Sequence, residues 1–295
     1  MEWDMVGTIS DVYLDLRNEL RHHGVTSAPL EAKELLAFAL EIPRAEFNER
    51  SGSYLFDEQL KRLEELKSRR LKGEPLAHII GEWDFYSLTF TLTPGVLIPR
   101  PDTETLVDAG LAFFSRRERG RILDLCCGSG CVGIALLKNL PDTISCVFAD
   151  TSEEALAVTK ENLVRHRLTF RGLPVAQNAL EPCDQALGKF NLIVSNPPYI
   201  PTGDIPGLDV SVKDYEPHEA LDGGTDGLDF YRAIAVNFKD ALTKNGMLAF
   251  ECGMGQAPQV EEILRENGYE DIRILRDFTG VERVVTGVRT PPEKV

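Results

Sequence analysis

Positive charge, cysteine and long apolar runs are all scarce in this sequence. Its 295 residues carry 32 Lys and Arg against 47 Asp and Glu, a formal net charge of −15. Affinity for nucleic acid that ignores base sequence comes mostly from Lys and Arg set against phosphate, so a chain this acidic is a poor free-standing DNA enzyme. No apolar stretch is long enough to span a bilayer as a helix. The first residues, Met1-Glu2-Trp3-Asp4, are acidic, unlike a signal peptide. The six cysteines are scattered, mostly in apolar strands or a glycine turn, so a reduced cytoplasmic setting is expected. Internal repeats and low-complexity tracts are missing too. The length suits one large domain and a small one.

What is present centres on Asn196-Pro197-Pro198-Tyr199, at the end of the apolar run Phe190-Asn191-Leu192-Ile193-Val194-Ser195. A planar amide or amine nitrogen is a poor nucleophile because its lone pair is delocalised. An enzyme that alkylates one must hold both N–H groups on acceptors and aim the nitrogen at an electrophile. The Asn196 side-chain carbonyl and the Pro197 backbone carbonyl offer two such acceptors. Pro197 and Pro198 stiffen the chain that carries them, and Tyr199 offers a flat face to the target group. Without a cofactor site, a strand followed by a proline-bounded loop would be the better reading.

A cofactor site is legible upstream. Arg121-Ile122-Leu123-Asp124-Leu125 reads as a buried strand, Cys126-Cys127-Gly128-Ser129-Gly130 as a turn, and the run from Cys131 to Leu137 as a helix. Strand, glycine turn and helix open the nucleotide-binding half of a doubly wound sheet. The next strand ends in Asp150, a carboxylate placed to accept from both hydroxyls of a ribose. The turn lacks the G-x-G-x-x-G spacing that seats a pyrophosphate. An acid before the turn suits a cation better, and S-adenosyl-L-methionine carries an ammonium and a sulfonium but no phosphate. Cys126, Cys127 and Cys131 do not read as a metal site, since adjacent cysteines cannot easily face one ion and no His pair lies near.

These motifs, with Gly73-Glu74-Pro75 through Tyr86, Pro94 through Glu104, Glu216-Pro217 through Leu228, and Glu251 through Gln256, resemble in order the signature stretches of the HemK/PrmC family of protein-glutamine N5-methyltransferases. The resemblance implies methyl transfer from S-adenosyl-L-methionine to the glutamine amide of the Gly-Gly-Gln motif in class 1 peptide chain release factors, by in-line displacement. It also implies a class I methyltransferase fold, an α/β Rossmann-like, mostly parallel sheet with an antiparallel edge. Carried over by position, Asn196, Pro197 and Tyr199 are catalytic, and Pro198 joins them in binding substrate. Asp124, Cys126, Cys127, Gly128, Ser129, Gly130, Asp150, Asn178, Ala179 and Asn196 bind the cofactor. The sequence departs from the family at three points. Cys126 stands where the family has glycine, which strains it if that position needs positive φ; a site that needs only a small residue is the favoured reading. Asp102 replaces a glutamate. The acid that meets the adenine amine is missing from Gln177-Asn178-Ala179-Leu180, which leaves Asn178 or a backbone carbonyl for that role.

The expected layout is a helical substrate-docking domain over 1–80, a β-hairpin linker over 81–98 and a methyltransferase domain over 99–295. Ile9, Val12, Tyr13, Leu16 and Leu20 recur at helical spacing; Ser27-Ala28-Pro29 opens a second helix that runs through Leu40, and a third opens at Asp57 and closes at Gly73. The one basic run, Lys67-Ser68-Arg69-Arg70-Leu71-Lys72, ends that helix, where cations complement the dipole; a contact with an acidic partner surface is the lesser reading. Arg100 and Glu104 either shape the site or form an ion pair bracing the linker. A monomer is expected, with no direct nucleic-acid or membrane contact. Alternatives are N5-glutamine methylation of a ribosomal protein, an adenine-N6 DNA methyltransferase, and a cofactor-binding regulator without catalysis. The DNA reading needs a basic target-reading surface that the composition does not offer.

Overall fold

A computed structural model describes residues 7–290; Met1-Glu2-Trp3-Asp4 lie outside them. The chain divides into two units, one of 1–81 with 210–215, the other of 82–209 with 216–295.

The first unit is helical. Helix α1 (Ile9–His22) starts at a capping box, in which the Thr8 hydroxyl accepts from Asp11 N at 3.2 Å and the Asp11 carboxylate accepts from Thr8 N at 3.2 Å. Helices α2 (Ala28–Ala39), α3 (Asp57–Leu71) and the short α4 (Leu76–Ile80) follow. Leu16, Leu20, Leu35, Leu36 and Leu63 form buried faces. The basic run at the end of α3 is neutralised within the unit. Lys67 meets Glu19 at 2.8 Å and also Glu64, Arg69 meets Glu74 at 2.6 Å, and Arg70 pairs with Glu31. Those cations are committed to intramolecular acids.

The second unit opens with a hairpin of β1 (Glu82–Phe85) and β2 (Leu88–Thr91) and helix α5 (Glu104–Phe114). It continues as β3 (Gly120–Leu125), α6 (Cys131–Asn139), β4 (Ile144–Asp150), α7 (Glu153–Arg165), β5 (Gly172–Ala176) and β6 (Phe190–Ser195). A short helix, α8 (Val210–Lys213), lies in the segment that groups with the helical unit. Then come α9 (Asp229–Asn237), β7 (Leu242–Glu251), α10 (Ala257–Glu266), β8 (Tyr269–Arg276) and β9 (Glu282–Arg289). The seven-stranded sheet has the order β5-β4-β3-β6-β7-β9-β8; β5 to β7 are parallel and β9 and β8 antiparallel. This is the class I methyltransferase fold. Ile122, Leu123, Leu192, Ile193 and Leu248 are fully buried, as central strands covered on both faces require.

The order reverses at β3: β4 and β5 lie to one side, β6 and β7 to the other. Ligands of such sheets sit outside the carboxyl ends of the strands at that switch point. Register fixes what stands there. Leu125 pairs with Ala149 and with Ser195, and Ser195 pairs with Phe250. The next residue on each strand is therefore Asp150, Cys126, Asn196 or Glu251, a row across four adjacent strand ends spaced by the roughly 4.8 Å of a sheet.

Candidate active site

The turn after β3 is held by its own neighbourhood. Asp124 Oδ2 accepts from Gly133 N at 2.8 Å, so the strand-end acid pins the first turn of α6. Gly130 takes φ 76° as the residue before that helix, a conformation cheap only for glycine. Asp150 Oδ2 accepts from Gly128 N at 2.9 Å and Oδ1 from Ser152 N at 3.0 Å, while the Ser152 hydroxyl caps α7 by accepting from Ala155 N at 3.2 Å. Cys126 adopts φ 60°. The position demands left-handed backbone, which corrects the expectation that it needs only a small side chain. The Cys126 thiol is pushed up by burial, and burial pushes Cys131 to about 12, so neither offers a thiolate.

The loop after β6 is held from afar. Ser195 Oγ donates to Leu125 O at 2.7 Å, tying the two strand ends together. Asn196 Nδ2 donates to Thr103 Oγ1 at 3.4 Å. Its Oδ1 is buried without a hydrogen bond. Gln256 Nε2 donates to Tyr199 O at 2.9 Å, and Gln256 Oε1 accepts from Gly253 N at 2.9 Å. Two glycines press on the same backbone: a Cβ at Gly223 would lie 2.7 Å from Tyr199 Cα, and one at Gly227 2.3 Å from Tyr199 O. The glycine-rich stretch from Ala220 to Leu228 is thus the mould of the Asn-Pro-Pro-Tyr loop.

Both segments border one cavity of about 440 Å³, lined by Asp124, Cys126, Cys127, Gly128, Ser129, Asp150, Asn196 and Pro198 among others. That size suits a small-molecule site. Gly130, Pro197, Tyr199, Asn178 and Ala179 are not on its wall. The Asn178 side chain is engaged in its own turn, with Oδ1 accepting from Leu180 N at 2.9 Å and Nδ2 donating to Glu181 at 3.4 Å. The Asn178 backbone carbonyl is engaged as well, accepting from Gln177 Nε2 at 2.9 Å and from Glu181 N at 3.2 Å. Arg100 does not pair with Glu104. It meets buried Glu216 at 2.5 Å, and Glu104 instead accepts from Tyr86 N at 2.9 Å, bracing the hairpin turn. Burial pushes the Glu216 carboxyl up, and Arg100 pulls it back.

Burial pushes Asp124 up to about 8, the Gly133 N–H lowering it and Asp150 raising it further. A carboxyl so placed is stabilised as an anion only when a cation joins it. The donor set of this cavity therefore fits an ammonium-bearing, phosphate-free ligand.

Comparison with known proteins decides the family. The model for the PrmC N-terminal domain matches residues 11–81, and that for the methyltransferase small domain residues 103–205. A release factor glutamine methyltransferase from Geobacter sulfurreducens is 40% identical over 96% of this chain and 97% of its own. One from Bradyrhizobium diazoefficiens is 37% identical over 94% of this chain and 93% of its own. The chain belongs to the release factor glutamine methyltransferase family. Among solved structures, a methyltransferase from Pyrococcus furiosus, 15% identical with a TM-score of 0.51 over 76% of this chain and 98% of its own, shares the fold. S-Adenosyl-L-methionine is the methyl donor that this family and fold imply.

The sequence drew no attention to Thr103, which lines the cavity of this release factor glutamine methyltransferase family member, or to Glu251, which stands beside Asn196 in register. Thr103 sat unremarked in the Pro94–Glu104 stretch and Glu251 in a motif with no role attached. The signal that could have found Glu251 is a charged residue closing an otherwise apolar strand, one register step from Asn196.

Proposed function

We propose that this protein transfers a methyl group from S-adenosyl-L-methionine to the side-chain amide nitrogen of the glutamine in the Gly-Gly-Gln motif of class 1 peptide chain release factors, as a cytoplasmic monomer. The observation that carries the reading is Asn196: a residue on the wall of an acid-lined cavity, with a buried carbonyl oxygen that bonds to nothing. An unsatisfied buried acceptor costs about 1–3 kcal/mol, and one retained at a strand end beside a cofactor turn calls for a donor from outside.

The side chains divide the work. Asp124 and Asp150 hold the cationic and ribose parts of the cofactor, with Cys127, Gly128 and Ser129 closing the turn around it. When bound, that cofactor supplies a methyl group made electrophilic by its sulfonium. Asn196 Oδ1 and the Pro197 carbonyl accept the two N–H groups of the glutamine amide. This fixes the amide plane and favours a nitrogen with more lone-pair character. Tyr199, anchored through its carbonyl by Gln256, packs against the amide. No strong base is needed, because the nitrogen proton becomes acidic only after alkylation. The helical unit docks the release factor.

Among the described residues Arg100 is the one Lys or Arg on the cavity wall, and it is engaged by Glu216. A phosphate-bearing target finds little to hold it there, which weighs against the adenine-N6 alternative. The deciding experiment mixes the enzyme, labelled cofactor and purified release factor, then repeats with the Gly-Gly-Gln glutamine replaced. Label is expected only on the unmodified factor. Label that persists after the replacement would remove this substrate.

A further inference from the structure

The row of strand-end residues set by register closes on Glu251. Its side chain is buried, in a position where only charged partners justify a carboxylate. Register puts it next to Asn196 across the β6–β7 pair. The Thr103 hydroxyl and the Asn196 amide both favour its anion, Asn196 Nδ2 donates to Thr103 Oγ1 at 3.4 Å, and Glu251 Oε2 has no hydrogen-bond partner. The Tyr231 hydroxyl donates to the Glu251 backbone carbonyl at 3.0 Å, which immobilises the residue.

An ionised carboxylate can only accept. Next to it, Thr103 must donate its hydroxyl proton to Glu251 and accept from Asn196, and the Asn196 amide must turn its NH₂ inward. Its carbonyl is then the group left for a ligand. A protonated Glu251 removes this constraint: it can donate to Thr103, Thr103 can donate to Asn196 Oδ1, and the amide is free to flip.

We propose that Glu251 is a positioning residue for methyl transfer: its buried carboxylate, acting through Thr103 and directly, locks the Asn196 amide with Oδ1 presented to the substrate N–H. The proposal rests on the methyl-acceptor role given to Asn196 above. It identifies what keeps that acceptor from presenting its NH₂ face, which would repel the very donor it must bind.

The surroundings set its pH response. Burial pushes Glu251 up to about 7, Thr103 and Arg283 pull it down, Asp102 pushes it up and the Asn196 amide pulls it down. Arg283 comes from β9 and is itself shared with Asp102 at 3.1 Å and Asp277 at 3.4 Å. Tyr199 and Tyr231 also feel the carboxylate, from the loop after β6 and from α9, as do Cys131 from α6 and the adjoining Cys252. Because the anion is the locking form, turnover should rise with pH through about 7. Stability should move the other way: a carboxyl whose folded value lies above its unfolded value of 4.5 contributes stability at low pH that is lost as pH climbs to about 7.

The test compares wild type, Glu251→Gln, Thr103→Val and Thr103→Ser. Glu251→Gln should lower kcat roughly 10- to 100-fold, leave the cofactor dissociation constant unchanged and erase the acidic limb of the kcat profile. Unfolding of the ligand-free protein should show a shallower pH slope between 4.5 and about 7 in the same variant, the remainder coming from Asp124. Thr103→Val, which keeps the shape but breaks the relay, should lower kcat without weakening the cofactor, and Thr103→Ser should restore it. If Glu251→Gln does not fold, the two Thr103 variants decide. A Glu251→Gln enzyme with wild-type kcat and acidic limb, or a Thr103→Val enzyme equal to wild type, overturns the proposal. If wild type labels no release factor, the proposed function has failed instead, and the pH slope of unfolding still tests whether Glu251 titrates in place.

Discussion

At the end of β3 the acids are tied to the chain that follows, Asp124 to Gly133 and Asp150 to Gly128 and Ser152, and the Gly128 and Ser129 carbonyls accept from Thr159 and Asn162 of α7, 31 and 33 residues on. At the end of β6, one strand away, the ties come from 29 to 93 residues off, through Gln256 to Gly227 and Tyr199 and through Asn196 to Thr103. The first corner is built from elements consecutive in the chain, β3 to α7. The second exists only once the whole sheet is in register and four distant segments have converged. Both corners retain unsatisfied buried side-chain oxygens, on Ser129 in the first and on Asn196 and Glu251 in the second. The locally held corner suits cofactor capture, whereas the globally held one suits chemistry, where unspent acceptors must be kept from collapsing onto one another.

Breaking the second corner should have the larger consequences. Asn196→Ala is expected to lower turnover roughly 10²-fold or more with cofactor affinity nearly intact, as steady-state rates and calorimetric titration would report. A collapse of cofactor affinity would mean that the two corners are not separable. Gly227→Ala places a Cβ 2.3 Å from Tyr199 O at φ 74°. It should destabilise the fold by roughly 2–3 kcal/mol, seen in denaturant unfolding, and should cost turnover before cofactor binding.

The first corner yields finer tests. Burial holds Asp124 at about 8, so near neutrality its carboxyl is largely protonated in the ligand-free protein. Binding a cation favours the anion, so affinity for S-adenosyl-L-methionine should rise with pH by up to roughly tenfold per unit below that value and flatten above it. Asp124→Asn should bind more weakly with no such dependence. The smallest effect belongs to Cys126. Its φ of 60° admits glycine readily and β-branched residues poorly. Cys126→Gly should stay within about 1 kcal/mol of wild type, and Cys126→Val should lose about 2 kcal/mol. Equal stability of the two variants would return the position to a question of size alone.

The same contrast explains what could be read from the sequence. Strand, glycine turn and helix from Arg121 to Leu137 were legible because the signals are contiguous, and so was the helical spacing from Ile9 to Leu20. Asn196 was legible by chemistry, as a carboxamide followed by two prolines. Its support was not: Thr103 lies 93 residues away, and Glu251 is marked only by closing an otherwise apolar strand, a signal that says nothing of what it stands beside. Arg100 and Glu216, 116 residues apart, were likewise beyond reach, and Arg100 was matched by proximity to Glu104, which serves the hairpin. Cys126 shows the converse error. Its glycine equivalent in the family carried the conformational information, and the substitution disguised it. Helices α4 and α5 went unseen because they lie inside motif stretches that draw attention to single residues rather than to periodicity.

The segment 210–215 belongs with the helical unit although it is threaded between two parts of the catalytic one. Tyr215 donates its hydroxyl proton to Lys72 O at 3.2 Å, and Val210 leaves only 3.0 Å for a Cβ at Gly73. The amino-terminal region is therefore not a detachable appendage. A fragment begun after Gly81 would carry an orphaned stretch in the middle of its longest loop, and a fragment ended there would lack a piece of its own wall. Evolution meets the same restriction: exchanging the helical unit for another means rewriting that loop in the same step, so the two units are inherited as one.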